Sequence, residues 1–165
     1  MGQSNKPESS LNVEEVIKDS ITVTKRPSGG ETVILSPKTI VVSAVTLDNY
    51  TLPPRHFFQF YNETILAALT NLGIKNISHK GISDLAVDNK KILGSSIYRR
   101  KEKLFYHAVI NYSESSEIIE KYIAHPKREP DYRKGRNHSD FVTSLVELGC
   151  EVDINTVIDE IKTVF

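Results

Sequence analysis

The chain has 165 residues, 21 Lys and Arg against 21 Asp and Glu, a formal net charge of zero and one cysteine. That length suits a single domain over residues 1–165 with a sizeable core, and the charge balance excludes a global electrostatic grip on nucleic acid or acidic membrane. One cysteine excludes an intramolecular disulfide framework, no apolar run reaches the roughly 18 residues of a membrane span, and the polar start MGQSNKPESS lacks a signal-peptide core, so a cytoplasmic protein is expected.

Met1–Ser10 reads as a polar loop. Asn12 can cap a short helix from Val13 to about Lys18, with Glu14 and Glu15 at its positive dipole end. Ile21–Lys25 alternates as a strand does, and Arg26–Gly30 follows as a turn. Thr32–Leu35 and Thr39–Leu47 read as two more strands, the second so continuously apolar that a central position is expected. Pro53 and Pro54 suit a helix start, Phe57 to Leu72 carries apolar residues at helical spacing, and Gly73 is a stop signal. Ile82–Val87 and Lys91–Ile97 flank Asp88-Asn89, a tight-hairpin signal. In Leu104–Tyr112, Phe105, His107 and Val109 share one face, and Tyr106, Ala108 and Ile110 the other. Ser113–Tyr122 reads as a short helix, Pro126–Arg136 as a charged, solvated loop, and Asn137–Leu148 and Asn155–Val164 as amphipathic helices. The fold class is α+β, with a mixed, mostly antiparallel sheet flanked by helices.

Four segments can carry chemistry. In Arg26-Pro27-Ser28-Gly29-Gly30, paired glycines allow close backbone approach to a ligand, a nest of N–H groups, and a bidentate guanidinium for phosphate or carboxylate. An ordinary Gly-Gly turn is the simpler reading of that composition. In Asp84 to Ser96, a lysine precedes the small residues Gly94-Ser95-Ser96, read as a turn. Lys90 and Lys91 point to opposite faces, so one of them faces inward or along the sheet. His107, in an apolar strand, is more often a structural residue than a catalyst, and no ligand spacing around it predicts a zinc or other metal site. The loop Pro130–Arg136 could bind an anion, or be solvated chain entering a helix with Asn137 or Ser139 near its cap.

The order of these segments resembles the lipoate–protein ligase and octanoyltransferase family, within the biotin/lipoate A/B ligase superfamily. The residues carrying the resemblance are Arg26, Ser28, Gly29 and Gly30; Asp84, Leu85, Val87, Asp88, Lys90, Lys91, Ile92, Gly94 and Ser95; His107; and Val142, Thr143 and Leu145. Gly2 to Glu8 is similar to the family's glycine-arginine-asparagine-glutamine loop. The resemblance implies attachment of lipoyl or octanoyl groups to an acceptor lysine through an acyl-adenylate, with ATP and Mg²⁺ and with lipoate or octanoate as acyl substrate. It implies Lys91 as the catalytic lysine at the acyl carbonyl and phosphate, and Arg26, Ser28, Gly29 and Gly30 lining the acyl and phosphate side. Asp84 would lie near the adenylate, Gly94 and Ser95 would keep the pocket floor open, and His107 would be supporting. The implied partner is a lipoyl acceptor domain, such as that of a 2-oxoacid dehydrogenase E2 or a glycine cleavage H protein, and a separate accessory chain is possible.

The chain departs from the family at Glu31, where a third glycine is usual, and at Ser83, where an asparagine is usual. The family's N-terminal strands and C-terminal accessory domain are expected to be missing. Cys150, at the end of an expected helix, reads as structural, so an acyl-cysteine route is not expected. Three alternatives stand beside the ligase reading: a truncated relative acting as a binding or regulatory subunit, a lipoyl or octanoyl transferase without ATP activation, and, lower, a biotin-transferring relative. Nucleic-acid binding by Lys127–Arg136 ranks last, with only Tyr132 to stack.

Overall fold

The computed structural model describes residues 1–48 and 52–165. In chain order the elements are α1 (Pro7–Ser10), α2 (Val13–Lys18), β1 (Thr39–Leu47), α3 (Pro54–Asn71), β2 (Ile77–Lys80), β3 (Asp84–Val87), β4 (Lys90–Arg100), β5 (Lys103–Asn111), α4 (Ser116–Tyr122), α5 (His138–Phe141) and α6 (Ile154–Val164). The five strands form one sheet in the order β1-β5-β4-β3-β2, antiparallel at every step.

The alternation in β5 sorts the two faces of the sheet. Tyr106, Ala108 and Ile110 are fully buried and pack with Leu85, Leu93, Ile65, Leu69, Val157 and Ile161, so α3 and α6 cover this side. The buried Tyr106 hydroxyl donates to Asn62 Oδ1 on α3 at 2.7 Å, which satisfies both polar groups. α3 begins at Pro54 and ends where Gly73 takes φ +88°. Gly73 N–H donates to Thr70 O and Ile74 N–H to Leu69 O, closing the last turn. Asp88 and Asn89 both have positive φ (48° and 62°), the geometry of a type I′ turn between β3 and β4.

Several expectations are corrected. β1 is an edge strand, not a central one: its apolar run splits into Ile40 and Val42 in the core and Val41, Val45 and Leu47 exposed on the other face. Ile21–Lys25 and Thr32–Leu35 join no sheet. Residues 21–25 are all exposed, so neither face of that alternation is buried, and residues 19–38 run as an irregular arm across the second face of the sheet. Gly94-Ser95-Ser96 is not a turn but the middle of β4. Residues 7–10 form the short helix α1 rather than loop, and β2 carries no clear period in sequence. Asn12 precedes α2 but does not cap it with its side chain; its Nδ2 donates to the Glu120 and Lys121 carbonyls and ties α2 to α4.

Of residues 137–148, expected as one amphipathic helix, only His138–Phe141 form a helical turn, α5. After it the backbone leaves the helix to serve the sheet. Thr143 N–H donates to Lys91 O (3.0 Å), Leu145 N–H to Asn111 O (3.0 Å) and Val146 N–H to Tyr112 O (3.0 Å). The loop 126–136 is anchored rather than solvated. Arg133 is 3% exposed with its guanidinium over the Phe141 ring at 4.8 Å, and Arg136 donates to Asn89 O at the hairpin tip.

Candidate active site

β4 carries an irregularity that decides where its lysine points. Leu85 pairs with Leu93 and Ala86 with Lys91, so Ile92 is an extra residue with no partner. This β-bulge lets Ile92 and Leu93, adjacent in sequence, both enter the core at 1% exposure. Without it Lys91 would share Leu93's buried face. With it, Lys91 lies on the same face as Asp84, Gly94 and Ser96. Its Nζ sits 2.8 Å from Asp84 Oδ1, while Lys90 points into solvent. Gly94 makes room for the side chain: a Cβ there would lie 2.7 Å from Lys91 Nζ and 2.8 Å from its Cε.

Opposite this face runs the loop 26–30. Gln3 N–H donates to Ser28 O (2.9 Å) and Arg26 N–H to Met1 O (3.0 Å), so residues 1–5 support the loop from below. A Cβ on Gly2 would stand 2.1 Å from Gly30 O, so only glycine fits there. Gly30 takes φ +87°, and its turn lets Arg26 Nη2 donate to the carbonyls of Gly29 (2.8 Å) and Glu31 (2.9 Å). Arg26 Nε–H donates to Ser28 Oγ at 3.1 Å, and Ser28 Oγ lies 2.6 Å from His107 Nε2 on β5. Ser28 is fully buried and does not border the cavity, so this serine–histidine pair is a brace rather than an exposed nucleophile. Burial, reinforced by the Arg26 charge, pushes the His107 imidazole below its ordinary range, and so it is neutral at pH 7. Burial also lowers the Arg26 guanidinium, with Glu31 opposing. Its Nη1 is enclosed and has no hydrogen-bond partner among the described residues, a donor left over for an anion.

Between the arm and the sheet lies a cavity of about 1150 Å³, bordered by Arg26, Gly30, Glu31, Asp84, Lys91, Gly94, Ser95, Ser96, His107 and Tyr132. A second, smaller cavity of about 160 Å³, lined mainly by Ile92, Leu93, Val109, Ile119, Ile123 and Phe141, also reaches Lys91. The structure thus gathers Arg26, Gly30, Asp84, Lys91, Gly94 and His107 around one space. Ser28 stands behind the loop, and Gly29 presents its carbonyl inward to Ser96 Oγ (2.9 Å). Ser95 borders the space, but its hydroxyl donates to Ser83 O at 2.8 Å. Two neighbours escaped the sequence reading. Ser96 is one, hidden by the assumption that 94–96 formed a turn. The other is Tyr132, whose hydroxyl donates to Asp84 Oδ2 at 2.9 Å. Its only signal was an aromatic ring within a charged run. Burial and the Asp84 charge raise the Tyr132 phenol above its usual range, so it stays a donor.

The arrangement places two fixed cations, Lys91 and Arg26, around a largely apolar, half-enclosed space. It can hold an acyl chain with its carboxyl or phosphate end between the cations, and stabilise negative charge developing on oxygen there. Among the described residues no helix is long and apolar enough to cross a membrane.

The sequence pattern of the lipoyl protein ligase A/B catalytic domain matches residues 1–165. The chain is 27% identical over 109 residues to the lipoate-protein ligase LplJ of Bacillus subtilis (strain 168), covering 66% of this chain and 32% of that relative, so it spans about a third of the relative's length. Its fold is similar to that of the bipartite lipoate protein ligase of Thermoplasma acidophilum, solved in a study that also describes its E2 lipoyl domain. The TM-score is 0.84 and the identity 19%, over 100% of this chain and 64% of that one. It is similar too to a lipoate-protein ligase A bound with ATP, at TM-score 0.84 and 18% identity over 100% of this chain and 66% of that one.

Proposed function

Since the chain belongs to the lipoyl protein ligase A/B catalytic domain family, we propose that it attaches a lipoyl or octanoyl group to a lysine of an acceptor lipoyl domain through an acyl-adenylate. The observation that carries this reading is the bulge-directed Lys91, held by Asp84 over Gly94 and bordering the cavity that Arg26 also borders. In the first half-reaction the acyl carboxylate attacks the α-phosphorus of ATP and pyrophosphate leaves. In the second the acceptor amine attacks the acyl carbonyl, AMP leaves and the nitrogen sheds a proton. A Mg²⁺ ion on the nucleotide's phosphates would offset their negative charge; among the described residues no cluster of three or more carboxylates, imidazoles or thiolates would hold it apart from the nucleotide.

The chain's own contribution is placement and charge. Lys91 has three N–H donors and Asp84 takes one, leaving donors for the acyl carbonyl oxygen or the phosphate. Arg26 keeps its planar grip because the Gly29 and Glu31 carbonyls and Ser28 fix it, while Nη1 remains for an anion. The apolar lining from Val33, Val41, Phe105 and Val109 takes the acyl chain and keeps water from the mixed anhydride. Glu31 borders the same cavity and disfavours a triphosphate close to it, which favours a second reading as an acyl transferase that draws on a preformed thioester.

The test is incubation with ATP, Mg²⁺, octanoate or lipoate and an acceptor lipoyl domain, followed by intact-mass measurement. A mass gain equal to one acyl group on the acceptor, dependent on ATP, is expected. A gain without ATP but with an acyl-thioester donor identifies the transferase reading, and no gain under either condition removes both.

A further inference from the structure

We propose that Tyr132 is a positioning residue that fixes Lys91 through Asp84, so that the loop 126–136 sets the geometry of the cavity's central cation. This deepens the acyl-transfer reading and takes its meaning from it. Asp84 is 7% exposed and lies at the start of β3. Its Oδ1 accepts from Lys91 Nζ at 2.8 Å and its Oδ2 from the Tyr132 hydroxyl at 2.9 Å. A carboxylate held by one flexible lysine can rotate about its own bond and drift with that lysine. A second donor on the other oxygen, from a rigid ring, fixes the carboxylate plane and hence the direction in which Lys91 is pulled.

Lys91 depends on that hold: among the described residues its amine forms an ion pair with Asp84 and with no other carboxylate. Gly94 beneath it has no side chain, and the lysine is 30% exposed. The ring of Tyr132 is itself set. It packs against Phe141 with centroids 5.0 Å apart, and Arg136 clamps the loop by donating to both Tyr132 O (2.8 Å) and Asn89 O (2.9 Å). Arg136 therefore ties the loop to Asn89 at the hairpin tip, two residues before Lys91, and Tyr132 ties the same loop to the carboxylate that holds the Lys91 amine. One loop thus grips both ends of the lysine's setting.

The discriminating variant is Tyr132→Phe, which removes the hydroxyl and keeps the ring on Phe141. Lys91 is read directly through its rate of acylation by an amine reagent such as acetic anhydride, with peptide mass spectrometry and with the exposed Lys90 as internal standard. The Lys91-to-Lys90 rate ratio is expected to rise about threefold or more in Tyr132→Phe, with the melting temperature lowered by only a few degrees because Asp84 Oδ2 loses its donor. In the ligase assay kcat is expected to fall about tenfold, with KM for the acyl substrate little altered. An unchanged Lys91-to-Lys90 ratio overturns the proposal, whatever happens to the melting temperature, because a merely structural tyrosine would shift stability without singling out Lys91. The labelling ratio does not depend on turnover. If the wild-type chain modifies no acceptor, the acyl-transfer reading fails while the Tyr132–Asp84–Lys91 linkage is still decided.

Discussion

The two faces of the sheet are built from the same strands and solve opposite problems. On one, Leu85, Leu93, Tyr106, Ala108 and Ile110 are sealed by α3 and α6, and the buried Tyr106 hydroxyl is satisfied by Asn62 Oδ1. On the other, Asp84, Lys91, Gly94, Ser96 and His107 face an irregular arm across a cavity, and position is fixed by a few polar tethers, most of them between segments distant in sequence. The first face stabilises the fold through apolar burial. The second contributes little burial and holds a few donors still. Substitutions on the cavity face should therefore change chemistry far more than stability, and substitutions on the core face should do the reverse.

Lys91→Ala is the sharpest test of that division. Acceptor modification is expected to fall by ~10²–10³-fold, with the thermal transition lowered by only a few degrees, because the main donor to the developing oxyanion is lost while Asp84 keeps its Tyr132 donor. Retained activity would break the assignment of this face. Gly94→Ala comes next. The new Cβ would stand 2.7 Å from Lys91 Nζ, and a flexible lysine end can shift, so turnover should fall about tenfold while folding is preserved. Normal kinetics in that variant would mean that Lys91's resting place is not its working place.

On the core face, Tyr106→Phe leaves Asn62 Oδ1 buried without its donor. It should cost about 1–3 kcal/mol in chemical denaturation and leave kcat unaltered. An effect confined to acid pH concerns His138, which borders the smaller cavity and whose imidazole burial pushes down to about 4, aided by the Arg133 charge. The unfolded chain takes up this proton near pH 6.5 and the folded one only near pH 4. The contribution to stability is therefore complete above pH 6.5 and is lost as pH falls toward 4. Denaturation midpoints across that window should fall more steeply for the wild type than for His138→Gln, and parallel curves would contradict it.

The core face was the more legible of the two. The alternation of β5, the long apolar stripe of α3 and the Asp88-Asn89 turn each pointed to one structure, because burial on one side enforces a period. The cavity face obeys no period. Ile21–Lys25 and Thr32–Leu35 alternate like strands yet pair with nothing, and residues 142–146 leave an amphipathic pattern to bond Lys91, Asn111 and Tyr112. Even the inward turn of Lys91 was legible only as a choice between two lysines. What settles it is the bulge at Ile92, whose faint trace in sequence is an apolar pair, Ile92-Leu93, interrupting the alternation. Arg26, the lysine pair and Gly94 stand out by residue type, and the resemblance in motif order adds Asp84 and the choice of Lys91. Tyr132 was missed because its partner is 48 residues away and its loop reads as solvent-facing.

The order of pairing in the sheet also bears on how the chain assembles. β2, β3, β4 and β5 follow one another as neighbours, so each ladder closes a short loop. β1 pairs with β5 only across everything between them, at Thr39 opposite Asn111. Loop-closure entropy favours zipping the local hairpins first and docking β1 late, with the arm that precedes it. The cavity would then be the last part of the molecule to form. Native-state hydrogen exchange should find amides of the arm opening well before those of β3 to β5, so that a nearly folded chain can exist that has a core and no site.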